Sequence, residues 1–126
     1  MSMRSELGKV RGLGAAHDGT HHFWMQRVTA IANLPLVTYL VYFIVAHIGH
    51  ARADVVASVK NPFCAVALVL AMISICWHMK LGLQMVIEDY VHGTATKLVS
   101  LLLNAFFAYG LAGLAIYAIL KMNFGV

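Results

Sequence analysis

The chain has 126 residues, 61% of them hydrophobic and only 11% charged, and its mean hydropathy is positive, which places it among integral membrane proteins. Too little polar sequence remains outside the apolar stretches to form an autonomous catalytic domain. The formal net charge of +4 reads as a topological bias and an attraction to anionic lipid, with nothing that suggests a nucleic-acid surface.

The whole chain, residues 1–126, reads as one all-α domain with three membrane-spanning helices, up-down-up, over about 23–49, 62–91 and 96–122. Residues 1–21 form an irregular or partly helical arm at the membrane surface, with glycines at 8, 12, 14 and 19. It is not a cleavable signal, because the apolar run behind its charges is far longer than a signal's core. Phe23 and Trp24 open the first span at interfacial depth. Arg27 lies one turn deeper, where an arginine either snorkels to the headgroups or meets an anion inside an assembly. Pro35 predicts a kink tolerated under cover of neighbouring helices. His47 and His50, three apart at the outer end, could share a metal on one helix face, but at a water boundary such a pair is usually solvated.

The segment 51–60 is polar enough for an external loop. Asn61 and Pro62 then give a cap and a first-turn proline to start the second span. Cys64 and Cys76 lie about 18 Å apart along that helix, too far to bridge. The third span is rich in small residues, among them Ser100, Asn104, Ala108, Gly110, Ala112 and Gly113, which favours close packing against a partner helix. Arg4, Lys9, Arg11, Arg27 and Lys97 fall on one side of the membrane and Arg52, Lys60 and Lys121 on the other. By the positive-inside rule the N-terminus is cytoplasmic and the C-terminus periplasmic, and Asp89 and Tyr90 face the cytoplasm.

The stretch 77–90, WHMKLGLQMVIEDY, carries the chemistry. A histidine within an apolar span is costly unless it faces protein, water or a metal. Gly82, Met85 and Asp89 fall on the same side of the helix as His78, so that Gly82 leaves a notch beside the imidazole. An imidazole next to a side-chain-free patch suits the approach of a haem, for which histidine is a usual axial ligand; it equally suits an interhelical hydrogen bond. At the depth of His78 the antiparallel first span offers residues near Pro35 and the third residues near Ala108, with no histidine in either. His47 is roughly 17 Å too far out. A second axial ligand must then come from another chain. Lys80, also within the span, would meet a partner or carbonyl groups.

These residues bear a family pattern. The sequence resembles the small hydrophobic membrane-anchor subunit of bacterial succinate dehydrogenase, which carries H-x(3)-G-x(6)-D-Y in the second of three spans. Here that pattern is His78, Gly82, Asp89 and Tyr90. A second family pattern, G-x-H-x-F-x(3)-R-x-T-A-I, is matched by Gly19, His21, Phe23, Arg27, Thr29, Ala30 and Ile31. The resemblance implies that His78 is an axial ligand of a haem b shared with a second anchor subunit, and that Gly82 lets the haem approach. It implies that His21 and Arg27 lie near the haem propionates, and that Tyr90, with Asp89 beside it, hydrogen-bonds a ubiquinone carbonyl. FAD and iron–sulfur clusters would reside on two soluble partners, a flavoprotein and an iron–sulfur subunit, docked at the bacterial inner membrane. Two other classes remain open on the residues alone: a homodimeric haem b protein in which two copies of His78 ligate one iron, and a haem-free membrane scaffold.

Overall fold

The computed structural model describes residues 6–11 and 18–125, so most of the predicted N-terminal arm, with Arg4, lies outside the described residues. Five helices follow in order: α1 (Glu6–Val10), α2 (Asp18–Ala46), α3 (Arg52–Val59), α4 (Pro62–Tyr90) and α5 (Thr94–Phe124). No strand occurs among the described residues. The stretch Thr20–Ala46 within α2, and α4 and α5 whole, are long and apolar enough to cross a bilayer. A helix satisfies its own backbone polar groups, which hydrocarbon cannot do.

The helix ends follow local chemistry. Asn61 accepts a hydrogen bond from the Phe63 amide at 2.9 Å through Oδ1, and Pro62 occupies the first turn, as the sequence predicts for the start of α4. Gly125 stops α5 with φ near +73°, a left-handed conformation that a glycine adopts without steric cost, and its amide donates to the Lys121 carbonyl.

The three long helices form a row with α4 in the middle. α2 and α5 run antiparallel to α4 on either side of it, and no Cα of one comes within 8 Å of a Cα of the other. α4 therefore contributes half of the buried positions among the described residues, Ala65, Leu68, Ala71, Cys76 and Leu81, beside Asn104, Ala108 and Ile119 of α5, Val59 of α3 and Thr29 of α2. The outer faces of the row carry exposed large apolar side chains, including Ile31, Leu34, Phe106 and Leu114. An apolar surface of this extent belongs against lipid or another membrane subunit.

Three expectations are revised, and a fourth holds in part. The segment 51–60 is not an irregular loop: Arg52–Val59 is helical, because Val55, Val56 and Val59 share one face and pack inward while Arg52 and Asp54 point out. Val59 is fully buried, and its carbonyl accepts from Asn123 Nδ2 at 2.8 Å. Secondly, α2 begins at Asp18, ahead of the span expected from about residue 23, so the last residues of the arm are helical and His21 lies within the helix. Thirdly, His78 lies level with Thr29 rather than Pro35, six residues or about 9 Å nearer the start of α2. The axial offset between neighbouring helices is set by side-chain packing, which span lengths do not encode. Finally, the small residues of α5 divide. Ala108 packs against α4, whereas a Cβ built on Gly110 or Gly113 would meet open space.

His47 also differs from a solvated surface histidine. Its Nδ1 lies 2.7 Å from the Phe43 carbonyl and its Nε2 2.8 Å from the Ser58 hydroxyl, so the ring fastens α3 to the end of α2. His50 is instead 3.8 Å from Asp54. With both His47 nitrogens engaged by protein, the two rings are not presented as a metal-binding pair.

Candidate functional site in the α2–α4 seam

The polar residues of interest gather at the end of the row where α2 begins and α4 finishes. His78 is half-buried, and its Nδ1 lies 3.0 Å from Thr29 Oγ1 across the seam. Thr29 is buried, and its hydroxyl also reaches back to the Met25 carbonyl at 2.8 Å and the Gln26 carbonyl at 3.1 Å. His78 Nε2 has no hydrogen-bond partner among the described residues. One turn from His78, Gly82 faces Gln26: a Cβ there would sit 3.8 Å from Gln26 Nε2, ordinary contact. The notch is thus directed toward α2. Gln26 Oε1, Asn33 Oδ1 and Ser74 Oγ are buried side-chain atoms with no hydrogen-bond partner. Buried groups of this kind are usually satisfied, so the seam carries unspent polar capacity beside His78.

Two grooves open nearby. One, of about 620 Å³, is lined by Phe23, Gln26, Arg27, Met85 and Asp89. The other, of about 510 Å³, is lined by His21, Met25, Trp77, Lys80 and Gln84. His22 and Glu88 line both. Arg27 and Asp89 therefore share a groove, whereas His21 faces a different one, and neither His78 nor Tyr90 contributes to either lining. The Arg27 guanidinium lies 4.5 Å from the Phe23 ring centroid, a cation–π contact, and pairs with no carboxylate among the described residues although Asp89 borders the same groove. Its charge is available to an anion. Tyr90, the last residue of α4, is 78% exposed, and its hydroxyl has no partner among the described residues.

Lys80 resolves as an internal contact with α5. Its Nζ donates to the Tyr109 hydroxyl at 3.2 Å and lies over the Trp77 and Tyr109 rings at 5.7 and 5.2 Å from their centroids. The Lys80 carbonyl accepts from Asn104 Nδ2 at 2.9 Å. Sequence reasoning had no role for Thr29, Gln26, His22 or Glu88 at this site. The available signal was helical spacing: His22, Gln26 and Thr29 recur at four and three positions, one face of α2.

One histidine at this level is what the described chain offers. His22 lies seven residues from Thr29, about 10 Å along α2, and His47 eighteen residues, about 27 Å. Among the described residues no group of three histidine, cysteine or acidic side chains forms a metal cage.

Fold and site together define an all-α membrane protein with the His78 imidazole bonded across its α2–α4 seam and broad apolar faces left for lipid or other chains. Residues 1–117 match the family described as the succinate dehydrogenase/fumarate reductase transmembrane subunit, and the chain belongs to that family. It is 35% identical over 88 residues to a succinate dehydrogenase hydrophobic membrane anchor subunit of Rickettsia bellii, covering 70% of each chain. With the subunit of the same name from Paracoccus denitrificans it shares 33% identity over 117 residues, 92% of this chain and 89% of the relative. A succinate dehydrogenase membrane anchor subunit of Reclinomonas americana is 32% identical over 89 residues, 68% of this chain and 74% of the relative.

Proposed function

We propose that this chain is the anchor subunit that helps hold haem b and ubiquinone in a succinate:quinone oxidoreductase, with His78 as one axial ligand of the haem. The observation that carries the reading is the state of His78. It is a half-buried imidazole inside a membrane-length helix, engaged through Nδ1 by Thr29 and free at Nε2. A histidine ligand ordinarily offers one nitrogen to the metal and hydrogen-bonds through the other, so the donor set fits. The other histidines among the described residues lie too far along the helices to supply the second ligand, which comes from a second anchor subunit.

Haem, when bound, supplies a one-electron redox centre within the low-dielectric membrane. Arg27, unpaired in its groove, presents a guanidinium to the propionates, for which charge-assisted hydrogen bonds are well suited. His21 supplies a second propionate contact from the neighbouring groove. Gly82 keeps the helix surface low beside the ligand. At the end of α4, Tyr90 donates its phenolic hydrogen to a quinone carbonyl, and Asp89 orients that donor and exchanges protons with water.

In this reading electrons arrive from an iron–sulfur subunit fed by a flavoprotein bearing FAD, and no complete active site lies on this chain alone. The end of the row that holds Arg27, Asp89 and Tyr90 faces the cytoplasm of the bacterial inner membrane, by the charge bias of the flanking segments. Purification of the chain from its native membrane tests the assembly. Co-purification of a flavoprotein and an iron–sulfur protein with a red membrane fraction is expected. A red chain without soluble partners would favour the homodimeric haem protein, and a colourless one the scaffold.

A further inference from the structure

The hydrogen-bond chain behind His78 carries an inference that rests on the haem-ligand reading and deepens it. We propose that Thr29 is the positioning residue for His78: its hydroxyl fixes the imidazole in the tautomer that bears hydrogen on Nδ1 and leaves Nε2 as the donor to iron. A threonine hydroxyl has one hydrogen to give and two lone pairs to accept with, and a carbonyl oxygen accepts only. Thr29 Oγ1 lies 2.8 Å from the Met25 carbonyl and 3.1 Å from that of Gln26.

Its single hydrogen is committed to the helix backbone, as is usual for threonine within a helix. The same chain repeats the arrangement at Thr38, whose hydroxyl donates to the Leu34 carbonyl at 2.6 Å. The 3.0 Å contact with His78 Nδ1 then requires the remaining hydrogen to come from the imidazole. A neutral imidazole with hydrogen on Nδ1 has its lone pair on Nε2.

The reverse arrangement would turn the threonine hydrogen toward Nδ1, leave two carbonyls without it, and put the imidazole hydrogen on Nε2, where it would block a metal. Burial of Thr29 keeps water from substituting for either bond. The contact also ties α2 to α4 at this level, so the ring's orientation is fixed along with its tautomer. A hydrogen bond accepted from Nδ1–H makes the opposite nitrogen a better donor, which favours the oxidised metal.

The test uses the assembled complex from membranes, with Thr29→Val, which keeps the shape and removes the hydroxyl, and Thr29→Ser, which restores it. Three properties are read: haem per complex, the electron paramagnetic resonance of the oxidised haem, and its midpoint potential. The valine variant should hold haem about 10- to 100-fold more weakly, with shifted resonance and a raised potential, and serine should return all three toward wild type. Should the valine variant fail to assemble, Thr29→Cys, with a weaker acceptor, should still raise the potential.

A wild-type resonance and potential in the valine variant, or in the cysteine variant where that one is used, would overturn the proposal; so would a serine variant that restores nothing. His78→Ala is run alongside. If that variant keeps unchanged haem bands, the ligand reading itself fails; if it loses them while Thr29→Val is silent, only the assignment of Thr29 fails.

Discussion

Replacing Asn104 by leucine should leave the α4–α5 contact as stable as before or stabilise it by about 1 kcal/mol, although the substitution removes an interhelical hydrogen bond. Asn104 is 7% exposed, and its Nδ2 donates to the Lys80 carbonyl at 2.9 Å. Hydrogen bonds between membrane helices contribute on average about 0.6 kcal/mol and at most about 1.7. The Lys80 carbonyl is not orphaned by the change, because it lies inside α4 and keeps the helical bond from the amide four residues on. Against the loss stands Asn104 Oδ1, buried without a partner. Such an acceptor costs on the order of 1–3 kcal/mol, and leucine, which has the same number of side-chain heavy atoms branched at Cγ, removes it. Relief therefore exceeds loss, by roughly fivefold in the folding equilibrium for a gain of about 1 kcal/mol. Denaturant titration of the purified assembly in mixed micelles measures it, with wild type and variant compared at the same detergent content. Destabilisation of more than about 2 kcal/mol would refute the reasoning, since it requires Oδ1 to be paired in the assembly.

Arg27→Leu should weaken haem retention by about 10- to 100-fold and move the haem potential, because a charge-assisted hydrogen bond contributes about 1.5–3 kcal/mol. A redox titration unchanged from wild type would mean that the guanidinium serves only its contact with Phe23 or the headgroups. Tyr90→Phe should lower quinone reduction about three- to tenfold, the effect of one hydrogen bond, while succinate oxidation by a soluble artificial acceptor and haem content stay near wild type. Equal loss in both assays would make Tyr90 structural, and loss in neither would remove it from the quinone site.

Much of this architecture was legible in the residues. Membrane-length apolar runs mark the three spans, and the Asn61–Pro62 signal gives the start of α4 to the residue. What stayed hidden depends on how helices meet. The eight residues of α3 look like a polar loop because Val55, Val56 and Val59 are their only large apolar side chains, a periodicity too short to stand out beside Arg52, Asp54 and Lys60. Partnership between His78 and Thr29 depends on the axial offset of α2 against α4, and no local property of either helix carries that offset. Lys80 looked anomalous for the same reason, since Tyr109 and Trp77 make a place for its charge only once α5 has docked. The row arrangement, with α2 and α5 apart, leaves an open face that a three-span sequence does not distinguish from a closed bundle.

The central claim is that His78 ligates iron through a nitrogen this chain leaves free. The most direct measurement is the reduced-minus-oxidised absorption spectrum of the purified membrane complex carrying His78→Ala, set against wild type at equal flavin content. The account predicts that the low-spin haem b bands are lost or strongly shifted, since no other histidine among the described residues lies at that level. Bands unchanged in position and intensity would contradict it.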